Sequence, residues 1–367
     1  MLRRADVAPL GRGKVLYLTG SPGEQGRQLG RGAAELIREN LLLARTQRQE
    51  VLSGLDRTDY EAITRRNAEW VSREFPELLE EIAGIAEGAR VDRLELLSMN
   101  LNPQLSYVHS TVPECTQVLA MGPATADGKT YVGKTRDLQR GPVRQVVLHR
   151  EHADGGFTNE LKTAGRMTIL DGINQHGVSL TCSGQWSARV RVDTARADSA
   201  WLLLNLQPIL RGARSADEAV RMITAQPRAS GMIVLAADAS RAVALEVTDR
   251  EVREFVPENG LLVRTNHFCS ADLRQLAPTR EEYRSTYDRH GRAGEILQER
   301  RGRIGLHDLL RILSDHAEPP VESICRHGGE GKSQTHAAII TCPQDRTMWA
   351  MIGNPCEGIQ AVGRPGE

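Results

Sequence analysis

Aromatic side chains are scarce, at 4% of 367 residues, which leaves too few rings for a series of stacking platforms under bases or sugars. Charge of one sign is not in excess either. Lys+Arg and Asp+Glu both number 47, so no overall field draws the chain to nucleic acid or to an anionic membrane. Lysine is nearly missing, with five against a large majority of arginines, a bias that composition alone does not tie to function. No apolar run approaches the ~18–20 residues of a membrane span. The charged start Met1-Leu2-Arg3-Arg4-Ala5-Asp6 is not followed by an apolar core, so no signal peptide is expected. Six scattered cysteines (115, 182, 269, 325, 342 and 356) do not make a disulfide scaffold and fit reduced thiols. The expectation is a cytoplasmic protein with neither nucleic-acid nor membrane partners. Repeats, low-complexity tracts and obvious linkers are absent as well.

What is present suffices for a large core: 40% of residues are hydrophobic, enough for one or two domains or one big sandwich. Val15–Thr19 reads as a short strand, followed by glycines at 20, 26 and 30 and a helix from about Gln25 to Gln49. Those glycines do not have dinucleotide-binding spacing, and Glu24 would repel a phosphate, so they are read as a close helix contact. Further helices are expected at 61–74, from Pro76 to Glu87 with proline at the first helical position, and at 94–100. After residue 137 strands dominate: 143–149, 167–171 and 177–182, then 232–237 with 243–248, 260–265, and 335–342 with 347–352. Helices are expected at 199–210, at 219–225 behind the capping box opened by Ser215, and at 281–300 and 306–316. Strands in sets with helical pairs between them indicate two sheets covered by helices.

The stretch with chemistry in it is Val112-Pro113-Glu114-Cys115-Thr116-Gln117-Val118-Leu119-Ala120-Met121. Cys115 heads a strand, Ala126-Asp127-Gly128-Lys129 is a hairpin signal, and the returning strand ends in Arg136-Asp137. A thiol at a strand head with a carboxylate brought back toward it suits a nucleophile. The plain alternative is a core cysteine, since free Cys is among the most buried residue types. A thiol of pKa near 8.5 and a free α-amine of about 7.7–8.0 on one residue would supply nucleophile and general base together. A papain-like pairing of the cysteine with His267 or His336 stays open, although the flanking signature is missing. His149-x2-His152 and Cys325-x-His327 are pairs without the further ligands of a zinc site, so no metal is expected.

Four ordered features carry a resemblance: Gly20-x3-Glu24-x-Gly26-x3-Gly30; Phe75-Pro76-Glu77-Leu78-x2-Glu81-Ile82-x-Gly84-Ile85-Ala86-Glu87-Gly88; Glu114-Cys115-Thr116 with Arg136-Asp137; and Thr265-Asn266-His267-Phe268 with Ser285-x3-Arg289-x2-Arg292. Together they resemble the isopenicillin N acyltransferase-like family (the acyl-CoA:6-aminopenicillanic acid acyltransferases) of the N-terminal-nucleophile hydrolases. The resemblance implies an α+β fold, a four-layer αββα sandwich, and a proenzyme that cuts itself between Glu114 and Cys115. Residues 1–114 would be a mainly helical pro-segment and 115–367 the catalytic chain, the two staying associated. Related sequences often carry Gly before the nucleophile, where this chain has Glu114. The resemblance assigns Cys115 as nucleophile, Asp137 to orient its amine, Asn266 to the oxyanion, and Arg289 as a late catalytic arginine. Arg289 lies in an Arg-rich helix that would equally serve as a solvated face. Arg136, His267 and Ser285 are implied at the substrate. The implied substrates are a small-molecule amide or acyl donor and an amine acceptor, without a cofactor, acyl-CoA being admissible as a co-substrate. The alternatives are a pure hydrolase of N-acyl amines or N-acyl amino acids, and an unprocessed binding protein on the same fold.

Overall fold

The computed structural model describes residues 8–10, 13–52, 57–101, 113–138, 143–169, 171–185, 202–228, 231–316, 323–328 and 333–362. In the leading part, strands β1 (Ala8–Leu10) and β2 (Gly13–Leu18) precede helices α1 (Pro22–Gly32), α2 (Ala34–Leu52), α3 (Arg57–Glu74), α4 (Pro76–Ala89) and α5 (Arg93–Leu101). The single helix expected over 25–49 is two. Ala33 leaves helical geometry at φ −121°, ψ 23°, which divides α1 from α2. Ser21 caps α1 and Glu24 reaches back to the Ser21 nitrogen at 2.8 Å, so that carboxylate completes a capping box.

The expected close helix contact is present. A Cβ on Gly26 of α1 would stand 2.2 Å from the Glu81 carbonyl oxygen of α4, and one on Gly84 would stand 2.2 Å from the Gly23 carbonyl oxygen. Only hydrogen side chains let the two backbones meet at that distance.

The strands that follow are β3 (Pro113–Ala120), β4 (Tyr131–Leu138), β5 (Gln145–Glu151), β6 (Phe157–Thr163), β7 (Asp171–Asn174) and β8 (Ser179–Ser183). Helices α6 (Leu202–Gly212) and α7 (Ala216–Ala225) lead to β9 (Met232–Ala237), β10 (Ala242–Val247), β11 (Val252–Phe255) and β12 (Leu261–Arg264). Helices α8 (Arg284–Arg300) and α9 (Leu306–Leu313) precede β13 (Gln334–Cys342), β14 (Thr347–Ile352) and β15 (Gln360–Val362). The strand expected over 167–171 begins only at Asp171. Met167 is instead in a bend, its nitrogen donating to Asn100 Oδ1 at 2.8 Å.

Two sheets form. One has nine strands in the order β1-β2-β5-β6-β7-β8-β9-β10-β11, the other six in the order β12-β3-β4-β13-β14-β15. Between them Val147, Leu161 and Ile173 meet Ile339, Met348 and Ala350, and Leu235 and Ala244 meet Leu119 and Val132. Helices α1 to α5 cover one half of the larger sheet and α6 and α7 the other, while α8 and α9 cover the smaller. This is a four-layer αββα sandwich. β2 pairs in parallel with β5, so the leading residues supply strands to the larger sheet as well as helices over it. Buried Arg150 ties them in through Glu81 of α4 at 2.9 Å and Glu160 of β6 at 3.2 Å. Burial alone would raise the Glu81 carboxyl, but Arg150 and Lys162 hold it at about 2. Among the described residues no helix is long and apolar enough to cross a membrane.

Candidate active site

β3 and β4 run antiparallel with Glu114 opposite Asp137, Cys115 opposite Arg136 and Gln117 opposite Lys134. Residues opposite one another share a face of the sheet, and neighbours along a strand alternate. Cys115, Gln117, Lys134 and Arg136 therefore face the other sheet. There Gln117 Nε2 donates to Ser183 Oγ at 2.7 Å, and Lys134 pairs with Asp171 at 3.0 Å. Glu114, Thr116 and Asp137 face the helices, where Arg289 Nη1 reaches Thr116 Oγ1 at 3.0 Å.

Cys115 is 3% exposed, and its backbone is held at both ends. Its N–H donates to Asn266 Oδ1 at 2.8 Å, and its carbonyl accepts from Arg289 Nη1. Arg289 Nη2 also donates to Asn266 Oδ1 at 2.9 Å, and its Nε to Ser285 Oγ at 3.2 Å. The solvated-face alternative fails for Arg289, which is fully buried; its helix neighbours Arg284 and Arg292 are the ones that take exposed ion pairs. Asn266 follows β12, and its position is fixed by the first turn of α8: its nitrogen donates to Thr286 Oγ1 at 2.8 Å. The Asn266 amide group expected at an oxyanion donates to the Gly184 carbonyl at 2.7 Å. It is the oxygen of this side chain that faces Cys115.

Asp137 is wholly buried beside Thr135 Oγ1 at 3.4 Å and the Thr335 hydroxyl. Burial pushes its carboxyl up to about 7 in spite of Arg289, and its Oδ1 has no hydrogen-bond partner among the described residues. Glu114 lies against the guanidinium of Arg326, which also donates to Ser285 Oγ. Ser285 thus joins the two arginines. Burial pushes Arg326 down to about 10.

His267 is placed differently from Arg289. Its Nδ1 lies 3.0 Å from Thr286 Oγ1 and its ring stacks on Tyr287 with centroids 4.0 Å apart. Burial pushes it down to about 3, so it is neutral. Among the described residues no hydrogen bond joins His267 or His336 to Cys115. His149 and His152 do not converge either, since they turn to Asn159 and Thr158 respectively.

Three residues at the site escape a reading of the sequence. Arg326 sits in a loop with no pattern around it, and Tyr283, whose hydroxyl reaches Arg289, precedes α8. Lys134 had a usable signal: one of five lysines, it stands inside the strand Tyr131–Leu138. Burial alone would lower Lys134, yet the Asp171 carboxylate holds it above its ordinary value.

Comparison with known proteins gives matches by sequence and by structure. The family model for acyl-coenzyme A:6-aminopenicillanic acid acyl-transferase matches residues 124–357, a span that starts after Cys115. The acyl-coenzyme A:6-aminopenicillanic-acid-acyltransferase 40 kDa form of Emericella nidulans is 22% identical over 301 residues, 81% of either chain. Solved structures with similarity include the Caenorhabditis elegans ortholog of N-acylethanolamine-hydrolyzing acid amidase, at 15% identity and TM-score 0.46, covering 62% of this chain and 93% of that one. A conjugated bile acid hydrolase variant from Clostridium perfringens has 14% identity and TM-score 0.48, covering 69% and 93%. Matched over more than half of its length, the chain belongs to the acyl-coenzyme A:6-aminopenicillanic acid acyl-transferase family.

Proposed function

We propose that the protein is a self-processing acyltransferase or amide hydrolase whose nucleophile is Cys115 at the start of a mature chain. The observation that carries this reading is the grip on the Cys115 backbone, its nitrogen on Asn266 and its carbonyl on Arg289, beside the buried carboxyl of Asp137. In the precursor the Cys115 thiolate attacks the Glu114 carbonyl carbon. The peptide C–N bond breaks, a thioester forms, and the Cys115 nitrogen leaves as an amine after taking up a proton. Water then cleaves the thioester, returning the thiol and a new carboxylate on Glu114.

In the mature enzyme the amine is the general base that takes the thiol proton and delivers it to the leaving nitrogen of an acyl amide. The acyl group rests on the Cys115 sulfur and passes to water or to an amine. Asn266 Oδ1 and Asp137 aim the amine and balance its charge, while Arg289 fixes the strand start that carries both reacting groups. Lys134 supplies a cation on the thiol's face of the sheet.

Intact mass of the purified protein tests the reading. Two chains of residues 1–114 and 115–367 are expected, and Cys115→Ala should give one. An active protein found only at full length overturns it. Adding a competing amine then separates transfer from hydrolysis, since only a transferase diverts acyl groups from water.

A further inference from the structure

The sequence leaves Cys325-x-His327 short of ligands, but folding brings in two more. His316 follows α9, Cys325 and His327 lie either side of Arg326, and Cys356 sits in the short turn Pro355–Glu357. Cys325 Sγ and Cys356 Sγ are 3.8 Å apart, Cys356 Sγ and His327 Nε2 3.5 Å, Cys325 Sγ and His327 Nε2 3.9 Å, and the two imidazole Nε2 atoms 3.0 Å. All four ligand atoms lie within 4.8 Å of one another.

We propose that His316, Cys325, His327 and Cys356 bind one divalent transition-metal ion, zinc by ligand type, which fixes the loop that presents Arg326 to Glu114. Zn–S bonds of about 2.3 Å and Zn–N bonds of about 2.0–2.1 Å at tetrahedral angles put S···S at about 3.8 Å, S···N at about 3.5 Å and N···N at about 3.3 Å. The four edges given above lie within about 0.4 Å of those values. A Cys2His2 set is the softness zinc prefers among divalent ions. A supporting contact is present as well: Asn354 Nδ2 donates to Cys325 Sγ at 3.3 Å and to the Arg326 carbonyl at 2.6 Å, as groups behind a thiolate ligand do. A disulfide accounts for less. It would need the two sulfurs at about 2.05 Å and leaves both imidazoles aimed at the same point unexplained.

The four ligands come from three chain segments, and the central one carries Arg326. Its backbone is otherwise tied to β13 by two bonds with Thr335, each 2.9 Å. An ion here staples that loop to the end of α9 and to the turn after β14.

The test uses the full-length protein expressed with zinc and dialysed in metal-free buffer. One zinc per chain is expected by elemental analysis. Replacement by Co²⁺ should give the intense visible bands of a tetrahedral ion and a thiolate charge-transfer band. Cys356→Ser and His316→Ala alter exposed ligands, so the fold should survive; each should weaken binding at least about tenfold, and Asn354→Ala about 10–100-fold. Cys269→Ser should leave one zinc in place. Substoichiometric zinc with a six-coordinate cobalt spectrum overturns the site, and so does a Cys325–Cys356 disulfide in the metal-free purified protein. Unchanged zinc content in folded Cys356→Ser also overturns it.

Discussion

The backbone nitrogen of Cys115 lies 2.8 Å from Oδ1 of Asn266, and the same oxygen accepts from Arg289 Nη2 at 2.9 Å. One side chain just after β12 thus links the Cys115 nitrogen to a buried arginine on α8. On the proposed self-cleavage, the same oxygen is in place to accept from the freed amine.

Asn266 should therefore act through its oxygen. Asn266→Ala is expected to lower turnover by about two orders of magnitude. Asn266→Asp keeps the acceptor oxygen, and should keep at least about a tenth of the activity in processed protein. Equal losses in the two variants would assign the residue's work to the amide donor, at the oxyanion.

Asp137 makes the precursor sensitive to pH. Its folded carboxyl, raised to about 7 by burial, binds a proton more tightly than in the unfolded chain, where the value is about 3.9. The contribution of this group to stability is therefore greatest below pH ~4 and is lost as pH rises to about 7, by up to about 4 kcal/mol. Buried His152, His267, His290 and His336, all held below their ordinary value, work the other way over that window, so the Asp137 share is read by difference: in the Cys115→Ala precursor, Asp137→Asn should raise the thermal midpoint more at pH 8 than at pH 4. Processed enzyme, with an ammonium to pair with Asp137, should show a weaker dependence.

The α1/α4 contact is equally exposed to test. Gly26→Ala or Gly84→Ala forces a methyl group against backbone oxygen, which should destabilise by about 1–3 kcal/mol. Chemical denaturation measures it, and an unchanged midpoint would mean the helices separate freely.

Much of this was legible because it repeats in the chain. The glycine spacing of α1 and α4, the hairpin behind Cys115 and the paired strands near the end all announce themselves by period or turn chemistry. β6 did not, because its helix-facing positions are Glu160 and Lys162. Their charges are met by Glu81 and Arg150 from elsewhere in the fold as well as by each other. Arg289 read equally well as solvated, since burial of an arginine depends on acceptors 173 or 174 residues away. Arg326 is invisible for the same reason: its partner Glu114 is one that only the tertiary structure supplies. Cys325 and His327 lacked companions in sequence because their neighbours in space come from α9 and from the turn after β14.

The last expectation concerns the pair at the scissile bond. Glu114 and Arg326 are 2% exposed each and lie against one another, so neither charge has water to fall back on. Removing one partner of a buried pair costs about 3–5 kcal/mol, because the other stays buried and uncompensated. Glu114→Ala in the Cys115→Ala background should lower the thermal midpoint accordingly. The double replacement Glu114→Leu with Arg326→Met should recover most of the loss, since no charge is left to solvate. In the self-cleaving protein, the same Glu114→Ala change frees the residue that carries the scissile carbonyl. Appearance of the 115–367 chain, followed over time on a denaturing gel, should slow. An unaltered midpoint together with an unaltered rate would mean that the pair neither holds the precursor together nor aligns its bond.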